Sequence, residues 1–131
     1  MQSHFPGWKF KAADTVADSG LHAELFIGKP QAVSLLGDNI IEDLASFEIA
    51  LSCNSKLCEL GRGSNVLGSP LLAAAHLISV LANQSYAAPI QAGEIVATGT
   101  LTAAFTIDVG QIWSATVNGI SLPELIIQFK I

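Results

Sequence analysis

The sequence is short of charge, and above all of positive charge. Only 13% of its 131 residues are charged, and Arg62 is the only arginine. The formal net charge is −5. Because a nucleic-acid-binding surface needs clustered cations to neutralise phosphates, this composition argues against a nucleic-acid partner.

Long hydrophobic runs are also missing, although half of the residues are apolar. The longest uninterrupted runs, such as the one within residues 71–77, stay far below the ~20 residues that span a bilayer. The first ten residues, MQSHFPGWKF, carry no apolar segment behind a basic start. We therefore expect a cytoplasmic protein with no membrane partner. With so few charges, we also expect part of its apolar surface to meet another subunit or a missing part of the same protein.

Cysteine is scarce, and both cysteines lie in the segment SCNSKLC. Residues 54–56 are typical of a hairpin turn, so Cys53 and Cys58 could face each other across two strands. A disulfide is conceivable there, but in a cytosolic chain we expect two reduced thiols. Two thiols without a second cysteine or histidine pair cannot complete a zinc site.

The acidic residues lack one arrangement that strands use to hold a divalent ion. No Asp or Glu is followed two positions later by another, so no strand can present two carboxylates from one face. Asp14 and Asp18 are four residues apart and would share one face of a helix. They could chelate a hard cation, although solvated helix charges are commoner.

Other nucleophilic and titratable residues give weak signals. Ser64 is not part of the Gly-x-Ser-x-Gly turn of serine hydrolases. His76 lies among alanines and leucines in a predicted helix, which favours a histidine packed in the core or in an interface over a catalytic one.

The patterns that are present predict a single domain, residues 1–131, in the α+β class or mainly β. Ser69 and Pro70 are typical of a helix start, and the predicted main helix runs from residue 69 to 84. A short helix or turn is predicted over 8–18, stopping at Ser19-Gly20, and a two-residue hairpin at Asn118-Gly119. Strands are predicted over 21–28, 46–53, 57–60, 93–98, 111–117 and 125–130.

A polar loop interrupts the apolar segment EIVATGTLTAAF, residues 94–105. Glycine at Gly99 lets the backbone approach a ligand, and the amides and hydroxyls of Thr98 and Thr100 could donate hydrogen bonds to a carboxylate. The same composition also suits a plain connection between strands. The residues alone leave both interpretations open.

Three blocks together carry a family resemblance: WKFKAADTVADS (8–19), GSNVLGSPLLAAAHLISVLA (63–82) and QAGEIVATGTLTAA (91–104). The chain resembles the C-terminal half of the 2-keto-4-pentenoate hydratase (2-hydroxypenta-2,4-dienoate hydratase) family, in the fumarylacetoacetate hydrolase superfamily. The resemblance implies a mainly β mixed sheet or roll with one principal helix. It also implies that Thr98, Gly99 and Thr100 contact substrate, with Lys11 and Asp18 as possible supporting residues.

The resemblance implies Mg²⁺ or Mn²⁺ in the parent family, bound by three glutamates upstream of the Trp-Lys block. Those glutamates are absent from this chain, so we expect it to bind neither ion tightly by itself, and catalytic residues cannot be assigned. The implied function is hydration of 2-hydroxy-2,4-dienoates in aromatic catabolism, by a fragment or a truncated relative. A 4-oxalocrotonate-type decarboxylase and a non-catalytic binding or assembly module are the alternatives. The expected partners are a small 2-oxo acid and either further copies of the chain or a missing N-terminal half.

Overall fold

The structure, a computed structural model, describes residues 5–21 and 23–130. The described residues fall into two compact units, one within residues 1–30 and one within residues 31–131. Each unit is described by itself below, and the single domain predicted from the sequence stays a prediction.

The first unit is built around helix α1, Ala12–Ala17, with 3-10 turns at Pro6–Trp8 and Ser19–Leu21. The backbone N–H of Lys11 donates to Oδ2 of Asp14 at 2.8 Å, which closes the start of the helix. Gly20 has φ 73°, a left-handed conformation that suits glycine just past a helix end. The predicted short helix and its stop are therefore confirmed.

The strand predicted over residues 21–28 is wrong. Leu21 ends a 3-10 turn, residues 23–30 have no regular structure, and His22 lies outside the described residues. The apolar pattern of this segment is that of a strand. A strand forms, however, only when its backbone groups hydrogen-bond to a neighbouring strand.

The second unit contains a four-stranded antiparallel sheet in the order β2-β1-β3-β4. Its strands are β1 (Glu48–Cys53), β2 (Lys56–Arg62), β3 (Ile112–Asn118) and β4 (Leu125–Gln128). Two helices accompany the sheet, α2 (Ile40–Ser46) and α3 (Pro70–Ala82), with 3-10 turns at Val33–Leu35 and Gly63–Asn65. The α+β class with one principal helix is confirmed.

A tight hairpin joins β1 to β2. Asn54 and Ser55 have φ 48° and 65°, and two consecutive left-handed residues give the turn whose twist matches that of its strands. Cys53 pairs with Lys56, and a register shift between Leu51 and Ser52 leaves Cys58 as the extra residue of a bulge. Both cysteines are free thiols.

Helix α3 begins as its sequence predicts. Ser69 Oγ accepts a hydrogen bond from the Leu71 N–H at 3.2 Å, and Pro70 occupies the first helical position. Ser69 is itself buried, so the cap is held firmly against the fold. His76 is exposed on this helix, so the core location considered for it is wrong, and an interface location stays a prediction.

The last two strands correct the prediction of a two-residue hairpin. Strand β3 is confirmed, and β4 pairs with it as predicted, but the connection runs over residues 119–124 instead of a two-residue turn at Asn118-Gly119. Gly119 has φ 96°, and a Cβ placed on it would lie 3.3 Å from the Cα of Phe47. The glycine therefore serves close packing beside the core.

The hydrophobic core is small. Phe47, Val66, Trp113 and Ile120 are its buried apolar side chains among the described residues. The ring of Phe105 packs on Trp113 with centroids 5.8 Å apart. The strand predicted over residues 93–98 is wrong, because these residues have no regular structure and pair with no strand among the described residues.

The stretch Gly63–Ala82 is long and apolar enough to cross a membrane by length and composition alone, with a mean hydropathy of 1.6. The α-helix inside it, α3, has only 13 residues. At the usual rise it is about 20 Å long, against about 30 Å for the hydrocarbon core of a bilayer.

Candidate functional site

The loop predicted to contact substrate lies against one face of β2, the face towards which a side chain at Gly61 would point. A Cβ atom placed on Gly61, in β2, would come within 2.5 Å of the Leu101 carbonyl oxygen and 2.9 Å of its carbonyl carbon. Because real Cβ atoms do not make such contacts, only glycine at this position lets the loop backbone lie directly on the strand. Gly61 is therefore what allows residues 98–103 to approach the sheet.

Two hydrogen bonds fasten the loop at that place. The amide Nδ2 of Asn65 donates to the Leu101 carbonyl oxygen at 2.8 Å. The Ala103 N–H donates to Oε2 of Glu59, a residue of β2, at 2.7 Å. Asn65 ends the 3-10 turn Gly63–Asn65 that directly follows β2. The loop is thus held from one strand and the turn after it.

The three residues before this anchor keep free backbone donors. The N–H groups of Thr98, Gly99 and Thr100 donate no hydrogen bond to any residue within 5–21 or 23–130. Gly99 is exposed with φ 112°, and Thr98 is half-buried. The hydroxyl of Thr100 donates to the Thr102 carbonyl at 2.5 Å, so it braces the loop. Each of these three amides therefore keeps its hydrogen free for a ligand.

The two possible supporting residues lie in the first unit. Lys11 is the N-cap of α1 and is exposed, and Asp18 is the C-cap. Asp14, the other acid of the predicted pair, already accepts a hydrogen bond from the Lys11 N–H. The structure therefore assigns the Asp14 carboxylate a capping role, which competes with ion binding.

The donor set does not fit the divalent metal of the family resemblance. Over the described part of the chain, no three His, Cys, Asp or Glu side chains come together as a metal site. Glu59, whose carboxylate reaches the loop, has its Oε2 engaged by the Ala103 N–H. A hard cation needs several oxygens around one point, and these residues do not supply them.

Two further features lie outside this loop. Burial raises the pKa of the Cys53 thiol, and the neighbouring Cys58 and Asp108 raise it further. A mainly apolar cleft of ≈ 170 Å³ lies within residues 78–90, at the end of α3. Neither feature presents an activated nucleophile, because a raised pKa keeps the thiol protonated and the cleft lining has no charged residue.

Sequence reasoning predicted the loop but missed the residues that hold it. These residues are Glu59, Gly61 and Asn65. Asn65 lies 36 positions from Leu101, and Glu59 lies 44 positions from Ala103. A glycine inside a strand pattern, as at Gly61, is the one signal that could have indicated a close backbone approach.

Comparison with known proteins agrees with this description. The chain is 30% identical to a 2-hydroxyhexa-2,4-dienoate hydratase of Comamonas testosteroni over 91% of its own length. It is also 30% identical to 2-keto-4-pentenoate hydratase 1 of Dechloromonas aromatica (strain RCB), over 92%. The resemblance to the 2-keto-4-pentenoate hydratase family is confirmed. No family model matches the chain.

The chain is also similar in fold to a protein of known structure. The 4-oxalocrotonate decarboxylase of Pseudomonas putida G7, complexed with magnesium and adipate, matches 98% of the chain with a TM-score of 0.80 and 26% identity. The match covers 46% of that protein, and the two hydratases are covered to 42% and 43%. The chain thus spans less than half the length of these relatives, which is consistent with a C-terminal half.

Proposed function

We propose that this chain supplies the carboxylate-binding loop of a lyase that hydrates 2-hydroxy-2,4-dienoates. The loop residues Thr98, Gly99 and Thr100 bind the carboxylate of a 2-oxo or 2-hydroxy acid. The single observation that supports this most strongly is the set of three unpaired backbone N–H groups at 98–100, next to a segment anchored on β2. The reaction type is inferred from the two hydratases to which the chain is similar.

The anchored segment explains how such a loop could work. Asn65 and Glu59 hold Leu101 and Ala103, so the segment directly after the three amides is already fixed before a ligand arrives. Fixed donors reorganise less on binding than mobile ones, and they hold the substrate in one orientation. Gly99 carries no Cβ, so the ligand can lie directly on the backbone.

We assign no catalytic step to this chain. The decarboxylase that it resembles was solved with magnesium, but the described residues do not form a site for such an ion. We therefore propose that the metal ligands and the groups that activate water come from elsewhere in the working enzyme. In that enzyme, this chain binds and orients the acid.

Exposed apolar surface supports the need for a partner. No residue of α3 is buried, and Leu72 and Ile78 on that helix are 58% and 56% exposed. Exposed apolar area of this kind is normally covered by protein. We propose that a cytoplasmic partner, either further copies of the chain or a polypeptide equivalent to the remaining length of its relatives, covers it.

The decarboxylase alternative is supported by the structural similarity over 98% of the chain. A carboxylate-binding loop would serve either reaction, because hydratase and decarboxylase substrates of this kind share the 2-oxo acid group. The proposal for the loop is therefore the same in both cases.

Amide chemical-shift mapping with oxalate tests the loop. We expect oxalate to shift the amides of residues 98–102 with a dissociation constant on the order of millimolar, about 4 kcal/mol of binding free energy. The substitution Gly99→Val should abolish these shifts, because its side chain would stand between the ligand and the amides. The fold should survive, since the change is in an exposed loop.

Gly93→Val is the matched control. Gly93 also has a left-handed φ, +93° against +112° for Gly99, so both substitutions impose similar backbone strain. Nothing lies within 4 Å of a Cβ built on Gly93. If oxalate shifts other amides and spares 98–102, or if Gly93→Val abolishes the shifts as fully as Gly99→Val, the loop is a connection and the proposal fails.

A further inference from the structure

The open edge of β4 has a charge pattern that is complementary to itself. In the order β2-β1-β3-β4, β4 has one neighbour, β3. Its four residues, LIIQ, are uncharged, and the segment is flanked by Glu124 on one side and Lys130 on the other. Neither flanking residue forms an ion pair with any described residue. We propose that β4 pairs antiparallel with β4 of a second copy of this chain.

The backbone of β4 presents unpaired groups to that edge. The backbone N–H and C=O of Phe129 point towards the β3 side. The N–H donates to the Gln111 carbonyl at 3.0 Å, and the carbonyl accepts from the Gly110 N–H at 2.8 Å. Groups alternate along a strand, so Ile127 and Leu125 also face β3, while Ile126 and Gln128 face away. Within the ranges 5–21 and 23–130, no backbone hydrogen bond to Ile126 or Gln128 is formed from that side.

This alternation restricts the register of the pairing. Two copies can exchange backbone hydrogen bonds only where outward-facing residues lie opposite each other. A two-fold axis at Ile127 places Ile126 of one copy opposite Gln128 of the other. The same axis places Glu124 opposite Lys130 at both ends of the pair. A shift of the axis by one residue in either direction keeps the hydrogen bonds but separates these charges.

The side chains are compatible with the same register. Leu125, Ile127 and Phe129 are half-buried on one face, and Ile126 and Gln128 are exposed on the other. Residues opposite each other in an antiparallel pair lie on the same face, so the apolar face of one sheet continues into the next. Ile126, 60% exposed in the single chain, is covered by Gln128 of the second copy.

Charge reversal with a compensating swap tests the pairing in the whole chain. We expect a dimer by sedimentation equilibrium, and we expect Glu124→Lys or Lys130→Glu to weaken it roughly tenfold, because each turns two attractive contacts into two repulsive ones. The double variant Glu124→Lys/Lys130→Glu should restore the affinity. Lys56→Glu, at the opposite edge of the sheet, is the control for net charge.

Two further variants separate the pairing from other effects. Glu124 Oε1 accepts from the Thr116 hydroxyl at 3.1 Å, so Thr116→Val removes that bond without changing charge and should leave the dimer intact. With Cys53 and Cys58 replaced by serine, Ile127→Cys should form a disulfide dimer on oxidation. Residues opposite each other at a non-hydrogen-bonded position are about 4.5 Å apart at Cα, within reach of a disulfide.

Ile126→Cys is the matched control for the cross-link, since it lies off the two-fold axis and opposite Gln128. Efficient cross-linking at 126 but not at 127 would contradict the register. A monomer at all concentrations would overturn the proposal. A dimer whose affinity is unchanged by both charge reversals would overturn it too. These readouts are independent of oxalate binding, so this inference and the proposed loop function can fail separately.

Discussion

Replacing Gly61 by alanine should detach the candidate loop from the sheet. The new Cβ would lie 2.5 Å from the Leu101 oxygen and 3.0 Å from Cγ2 of Ile49, whereas ordinary contact begins at 3.4 Å. The Leu101 backbone must therefore retreat by about 1 Å. Such a retreat breaks the bond from Asn65 and loosens the one between Ala103 and Glu59.

The cost follows from these two hydrogen bonds. Each contributes about 0.5–1.5 kcal/mol in an exposed setting, and alanine recovers about 0.5–1 kcal/mol by restricting the unfolded chain. We expect a net loss of about 1 kcal/mol in the free energy of unfolding. The assay is urea denaturation of the whole chain, together with oxalate shift mapping, in which the shifts at 98–102 should be strongly reduced.

Gly28→Ala is the control for this prediction. Neither Gly28 nor Gly61 has a left-handed φ, and a Cβ built on Gly28 has nothing within 4 Å. We expect Gly28→Ala to be neutral or slightly stabilising, by up to about 1 kcal/mol. If Gly61→Ala is as stable as the parent and keeps the full oxalate response, the argument that Gly61 positions the loop is refuted.

Two other predictions concern metal binding and thiol chemistry. Calorimetry should detect no micromolar binding of Mg²⁺ or Mn²⁺ by the isolated chain, and tight binding that is lost in Asp18→Ala would contradict the donor analysis. Because burial, Cys58 and Asp108 all raise the pKa of Cys53, its thiolate fraction at pH 8 should be below that of an ordinary cysteine. The Cys58→Ser variant removes one of these three causes but keeps burial and Asp108, so Cys53 should still alkylate more slowly than a free thiol reference and gain rate above pH 9. Equal rates at pH 8 would contradict this.

The sequence by itself determined the elements that depend on near neighbours. The hairpin after β1 needs two left-handed residues, and Asn54 and Ser55 supply them next to well-patterned strands. The start of α3 needs an oxygen for a free amide and a fixed φ, which Ser69 and Pro70 provide. The family blocks, read along the chain, also located the loop at Thr98.

Only the tertiary structure decided which apolar segments become strands and what holds the loop. Residues 23–28 and 93–98 have strand-like composition but find no partner, and a strand forms only through hydrogen bonds to another strand. The bond between Asn65 and Leu101 spans 36 residues, and the bond between Glu59 and Ala103 spans 44. Contacts between residues so far apart leave no periodic signal in the sequence, because each partner's position is fixed by the path of the whole chain between them.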